Sequence, residues 1–240
     1  MKKKYFEFLS SFLLSFLKIW QIRALVGLIR YFFFRIFRGV KYINSSLSRE
    51  DTVTWNLTAF KNIITDFKMN RIQYLYGPIS GIDRINQNSE ILLIGSRTEN
   101  EILYLRAFGH KKINAADLIS YSPDISIQDM HDLKFDSNKF DLIILGWVMV
   151  YSKDLNTCVK NIIRVAKDNA IIAIAYAKEQ KKEFDFNINS LKEIHDLFKD
   201  YINKIYFQYD GELSELSQDE IQKISSFRTS HIVTVFSIKK

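Results

Sequence analysis

The stretch from Ile91 to Glu101, ILLIGSRTENE, decides the fold. Its four apolar residues, Ile91 to Ile94, suit a strand buried on both faces. Gly95 then permits a sharp turn that a residue with a Cβ would resist. Thr98 and Glu101 have the T-x-x-E spacing of a capping box, which predicts a helix start with its free N–H groups directed at the turn. The next strand-like run, Ile113 to Asp117, ends on a carboxylate 22 positions after Gly95. An acid at that place in a βαβ unit can accept hydrogen bonds from ribose hydroxyls.

Downstream, Gln128 to Asp154 reads QDMHDLKFDSNKFDLIILGWVMVYSKD, followed by a helical stretch with a basic end, Leu155 to Lys167, and the apolar strand Ile171 to Ala177, IIAIAYA. From Ile91 to Ala177 the chain resembles the class I S-adenosylmethionine-dependent methyltransferases, in particular those with a "gDm..lpf.d..FD" pattern. The tail extends the resemblance, since Asn203 to Asp210 and Ser230 to Lys240 read as its last two strands. The implied architecture is α/β: a Rossmann-like, mostly parallel seven-stranded sheet with an antiparallel last strand, preceded by N-terminal helices. Asn203 to Asp210 would be an outer strand, with Ser230 to Lys240 inserted beside the fifth.

The resemblance also implies a cofactor, S-adenosyl-L-methionine, and places residues around it. Gly95 would lie under its methionine end. Asp117 would hold the ribose, and Asp129 and Met130 would meet the edge and face of the adenine. The segment Gly146 to Tyr151, which includes Trp147, would border the transfer site. The chemistry suits these roles: an ionised carboxylate accepts from a diol or an exocyclic amine, and a thioether suits a flat aromatic ring.

The chain also departs from the family pattern. Leu93 stands where an acid is usual, Arg97 and Glu99 replace the second and third glycines, and Asp168-Asn169-Ala170 replaces a Pro-Gly-Gly turn. Arg97 can pair with the methionine carboxylate, and Glu99 or Glu101 with the amine. The plainer alternative is that the two glutamates only favour a helix N-terminus. These losses keep open a catalytically silent binding or scaffold protein of the same fold. A nicotinamide-dependent oxidoreductase shares the turn and the ribose acid, but G-x-G-x-x-G is absent and the Asp129-Met130 pattern argues against it.

Methyl transfer from a sulfonium needs mainly alignment and exclusion of water. A hydroxyl acceptor would also need a general base. The candidates are His131, after the adenine-binding pair, Asp154, which closes the following loop, and Tyr151 and Tyr176, at strand ends. The four histidines are scattered and no Cys/His cluster has metal-ligand spacing, so no metal is expected. The single cysteine, Cys158, reads as a small core residue and favours a reducing compartment.

Charge is distributed unevenly over the 240 residues. Residues 1–41 hold nine Lys or Arg against Glu7 alone, so the formal net charge of +7 resides there. Large apolar residues lie between the cations. On a helical wheel Arg23, Arg30, Arg38 and Lys41 share one sector, with Arg35 at its edge, opposite a broad aromatic and aliphatic face. Residues 1–45 are therefore expected to form a basic amphipathic arm on an anionic membrane surface, with the protein cytoplasmic and peripheral on the inner face. The longest uncharged run, Phe8 to Leu17, is too short to span a bilayer. The aromatics are too dense for a nucleic-acid arm. A small-molecule or lipid-linked acceptor, such as a lipid or a surface-glycan intermediate, is the expectation from that location. Residues 46–88 form a helical lead-in, with one helix from about Ser48 to Met69 and Trp55 or Phe60 as pocket wall, then turns at Gly77-Pro78 and Gly81 to Asp83. Residues 89–240 form the sheet domain.

Overall fold

The computed structural model describes residues 12–49, 51–60, 63–68, 72–177, 188, 190–211 and 231–240. After a 3-10 turn at Phe16–Lys18 come helix α1 (Trp20–Arg38), strand β1 (Lys41–Tyr42) and three short helices, α2 (Thr52–Ala59), α3 (Ile63–Lys68) and α4 (Ile72–Ser80). The sheet domain follows as β2 (Glu90–Ile94), α5 (Asn100–Ala107), β3 (Lys112–Asp117), β4 (Ile119–Ser120), β5 (Ile125–Ile127) and β6 (Phe140–Gly146). It closes with α6 (Leu155–Val165), β7 (Ala166–Ala177), α7 (Leu191–Leu197), β8 (Ile202–Asp210) and β9 (His231–Ile238).

Seven strands form one sheet in the order β5-β3-β2-β6-β7-β9-β8. The first five are parallel, and β9 runs antiparallel between β7 and β8. The expected fold class is therefore the observed one. Alternation along each strand serves two faces. Leu92, Ile94, Ile143, Leu145, Ile172 and Ile174 meet α6 and α7, with Cys158 buried among them. Ile91, Leu93, Leu142, Ile144, Ile171 and Ala173 meet α4 and α5. The sheet is covered on both sides, which is why its strands read as continuous apolar runs. At Asn169, φ is +61°, a left-handed conformation that asparagine tolerates, and it marks the irregular entry to β7 where the family turn is missing.

The N-terminal segment differs from its expected form. Helix α1 is not an arm beside the domain but a third layer, packed on α3 and on the outer face of α5. Two cations of its basic sector, Arg23 and Arg30, turn toward the body, while Arg35, Arg38 and Lys41 stay exposed. Arg23 is 0% exposed and donates from Nε to Asn100 Oδ1 at 2.7 Å and from Nη1 to the Leu17 carbonyl at 2.7 Å. Arg30 pairs with Glu99 and, at 3.1 Å, with Asp124. Gly27 sits against the Phe67 ring, where an added Cβ would come within 2.0 Å. The apolar face points outward instead, leaving Leu25, Ile29, Phe32, Phe33, Ile36 and Phe37 exposed, Ile36 by 76%.

The single helix expected from Ser48 to Met69 is two helices, α2 and α3. Trp55 is exposed, while Phe60 packs on Tyr31 and Tyr121, so neither lines the site. Gly77 and Pro78 lie inside α4 rather than in a turn. The connection between β8 and β9 falls, beyond Gly211, outside the described residues.

Candidate active site

The parallel order brings the C-terminal ends of β2, β3 and β6 side by side, and a cleft of about 560 Å³ including its mouth opens over them. Gly95 ends β2 at φ +90°, where its N–H donates to the Ala116 carbonyl at 2.9 Å. Val148, in the loop after β6, packs on it so closely that a Cβ at Gly95 would stand 2.7 Å from Val148 Cβ. The turn thus requires glycine for its conformation and for its neighbour. Trp147 lies in the same loop at φ +57°, anchored by its N–H to the Ala175 carbonyl at 2.8 Å. Its ring packs edge-on to Tyr74 and His231.

Of the predicted cofactor residues, Gly95, Arg97, Asp117, Asp129, Met130, Gly146 and Trp147 all line this cleft, and Glu101 does not. Glu101 lines a smaller adjoining pocket with Ser96, Gly95 and Gly146. Asp117 stands half-buried at the end of β3, where burial lifts its carboxyl to about 7 despite the Ile119 N–H it accepts at 3.0 Å and the nearby Arg97. Asp129 is pushed up by burial, but hydrogen bonds from His131 and Ser45 outweigh this and hold it below the usual carboxylate range.

Several predicted roles need correction. Arg97 is turned away from a methionine carboxylate: its Nε and Nη2 grip Asp66 at 2.8 and 2.6 Å, and Nη1 donates to Asn56. Glu99 is buried and held by Arg30 and Ser122. The expected Thr98–Glu101 capping box does not form, because Thr98 is not at the cap position. The helix begins at Asn100, and Glu99, at the cap position, makes no side-chain cap. His131 is buried, with Nδ1 on Asp129 Oδ1 at 2.6 Å and Nε2 on Ser152 Oγ at 2.7 Å, so both ring nitrogens are engaged. Asp154 caps α6, accepting from the Thr157 N–H at 3.0 Å and hydroxyl at 2.6 Å. Tyr176 is a core residue. Tyr151 alone of the four proposed bases lines the cleft.

The cleft also has a wall that the sequence did not indicate. Residues 41–49 run across it as a strap. At one end Lys41 and Tyr42 pair with Ser120 and Ile119, and the Ile43 N–H donates to Leu118 at 2.9 Å. At the other, Lys153 donates to Leu47 at 2.8 Å, Arg49 donates to Tyr151 at 3.1 Å, and Ser48 bridges Ser152. In the middle the Ser45 hydroxyl donates to Asp129 Oδ2. Ser48, Thr52 and Asn56 carry the wall into α2.

Comparison with known proteins agrees with this geometry. Residues 111–227 match a family model described as a methyltransferase domain. Residues 111–227 carry a methyltransferase domain, and the sheet has the class I methyltransferase fold. Among solved structures, a Burkholderia thailandensis 1,6-didemethyltoxoflavin N1-methyltransferase with bound 1,6-didemethyltoxoflavin and S-adenosylhomocysteine superposes at TM-score 0.54. It is 8% identical, with 84% of this chain and 95% of that one covered. A Haloferax volcanii putative methyltransferase, solved with the Trm112 methyltransferase activator, gives 0.53 at 15% identity, covering 80% and 99%. A Listeria monocytogenes putative S-adenosylmethionine-dependent methyltransferase gives 0.51 at 10% identity, covering 71% and 98%. A search of curated protein sequences gives no match. The family match begins after α5, so the divergent turn at Gly95 to Glu101 lies outside it. In this methyltransferase domain the turn's charged side chains hold helices α1 and α3, which one-dimensional spacing does not reveal.

Proposed function

We propose that the protein is an S-adenosylmethionine-dependent methyltransferase that works at a membrane surface. The observation that carries the catalytic reading is Asp117, half-buried at the carboxyl end of β3 in a cleft that also holds Gly95, Met130 and Trp147. The residues fit the cofactor: a carboxylate for a diol, a thioether for a flat ring, and buried hydroxyls on the opposite wall. When bound, S-adenosylmethionine supplies a methyl group already activated on a sulfonium. Asp117 would hold the ribose, Met130 the adenine face, and the loop from Gly146 to Tyr151 would exclude water from the transfer side. Tyr151 is the residue on that side with a proton-carrying group, and it is our candidate for receiving or steering the acceptor's proton.

Calorimetric titration of the full chain with S-adenosylmethionine, S-adenosylhomocysteine and NAD tests this. Binding of the first two without NAD is expected. NAD binding alone would favour an oxidoreductase, and binding of none of them a silent scaffold.

The membrane reading rests on the outer face of α1. Phe33, Ile36 and Phe37 are exposed beside the exposed cations Arg35, Arg38 and Lys41. No single described helix is long and apolar enough to cross a membrane, although Phe12–Lys18 and Trp20–Arg38, bent by 103°, satisfy length and composition as a pair. Spanning conflicts with the ties of Arg23 and Arg30 to the body, so α1 would lie in the interface with its aromatic face in lipid. A lipid-linked or lipid acceptor is then within reach of the cleft. Liposome flotation of the full chain, with Phe33, Ile36 and Phe37 each changed to Ser, tests it. The changes should abolish association with anionic vesicles and leave S-adenosylhomocysteine binding intact, and unchanged flotation would reject the reading.

A further inference from the structure

Two buried hydroxyls on the cleft wall have no partner among the described residues. Ser48 and Thr52 are 2% and 4% exposed, and neither Ser48 Oγ nor Thr52 Oγ1 meets a donor or acceptor. A buried hydroxyl left unsatisfied costs about 1–3 kcal/mol, and native structures contain few of them. Two on the same wall of one cleft indicate a ligand that completes them.

Their position selects which part of the ligand. Thr52 and Asn56 are four residues apart and share one face of α2, and Asn56 is bonded to Arg97, two residues beyond Gly95. Ser48 bridges Ser152, just after the loop that carries Val148 and Tyr151. Through Asn56 and Arg97, and through Ser152, the segment carrying both hydroxyls is tied to the turn after β2 and the loop after β6, where Val148 meets Gly95. Asp117 and Met130 belong to the β3/β5 half. Of the turn's charged side chains, Arg97 is committed to Asp66 and Glu99 to Arg30, while Glu101 lines the adjoining pocket.

We infer that Ser48 and Thr52 hold the amino-acid end of S-adenosylmethionine, their hydroxyls donating to its carboxylate, in place of the turn residues that hold α1 and α3. This rests on reading the cleft as the S-adenosylmethionine site. A neutral hydroxyl donor to a carboxylate makes a charge-assisted hydrogen bond, and an enclosed pair strengthens it. It also explains how a turn that has lost two glycines and its early acid can still serve the ligand: the anchor has moved to a different segment of the chain.

Full-length protein should be titrated with S-adenosylhomocysteine and with 5′-methylthioadenosine, which keeps the adenosine and thioether but lacks the amino-acid end. Wild type should bind the former more tightly. In the Ser48→Ala/Thr52→Val double variant, S-adenosylhomocysteine should weaken about tenfold or more while 5′-methylthioadenosine stays within about twofold. Retained 5′-methylthioadenosine binding shows that the variant is folded. Thr52→Ser on the Ser48→Ala background should recover part of the loss. Equal weakening for both ligands, or no weakening, overturns the inference alone, as does a wild type that does not distinguish them. A wild type that binds neither ligand overturns the reading of the cleft and the inference with it.

Discussion

At the scale of single residues, Asp117 couples ligand binding to pH. Burial raises its carboxyl to about 7, while an exposed aspartate titrates near 3.8. The ionised form is the better acceptor for ribose hydroxyls, so S-adenosylhomocysteine affinity should rise with pH from 6 to 8, by up to about tenfold per unit below 7. Asp117→Asn should flatten that profile, and a wild-type slope surviving in the variant would assign the effect elsewhere. The sign for stability is the reverse. The folded state favours the protonated acid, so the carboxylate destabilises the ligand-free protein progressively from about pH 4 to pH 7 and by a constant amount above that. Asp117→Asn should therefore melt higher than wild type at pH 8 and equally at pH 3.5. Gly95 makes a second residue-scale case. Gly95→Ala meets both a φ of +90° and Val148, so it should cost about 1–3 kcal/mol, readable in chemical denaturation. Adding Val148→Ala removes the Cγ2 contact at 2.8 Å but keeps Val148 Cβ at 2.7 Å, so it should recover only part of the loss.

Among the elements, α1 and α5 are joined by charges whose partners are far apart in sequence. Arg30 reaches Glu99, which is fully buried, and Arg106 shares Asp124 with it at 3.1 Å. Arg30→Ala would leave Glu99 enclosed without its cation. The expected loss is about 2–3 kcal/mol, below the 3–5 of a fully buried pair because Arg30 is partly exposed. Arg30→Ala with Glu99→Gln should recover part of it, and full additivity in the cycle would show that the pair does not couple. These contacts explain what was legible in the sequence and what was not. Strands β2, β6 and the second half of β7 were readable because burial on both faces writes itself as apolar runs. Asp117 was readable because the βαβ unit fixes its distance from Gly95. The roles of Arg97 and Glu99 were misread because those side chains answer to Asp66, Asn56 and Arg30, partners that local spacing does not record, and the capping box at Thr98 and Glu101 fails because the helix begins only at Asn100. The wheel of α1 correctly separated cations from aromatics, yet could not say which face meets the body. The open hydroxyls of Ser48 and Thr52 gave no sequence signal, since serine and threonine before a helix read first as caps.

For the molecule as a whole, the N-terminal helix is structural as well as a possible address. Arg23, Ala24, Gly27 and Tyr31 are buried against the body, so deleting residues 1–41 would expose Phe67, Tyr121 and the Glu99 carboxylate. The truncated protein should precipitate or melt well below wild type, instead of remaining as a stable soluble domain, and thermal unfolding of the two forms checks this. A truncated form as stable as wild type would restore the view of a detachable arm. The surface substitutions on Phe33, Ile36 and Phe37 separate the two roles, because they change only what faces outward.

The placement of β9 has a consequence for how the chain is made. It lies between β7 and β8, is buried along its whole length, and is the last of the described elements to be synthesised. Until the ribosome has released residues 231–238, β7 has an open edge and β8 has no neighbour in the sheet. A nascent chain halted there presents two bare backbone rows, one of them on a strand with Ile205, Phe207 and Tyr209 exposed. Residues 231–238 are thus an interior wedge, and protein quality control would meet a chain halted before them as an aggregating species, not as a shortened enzyme.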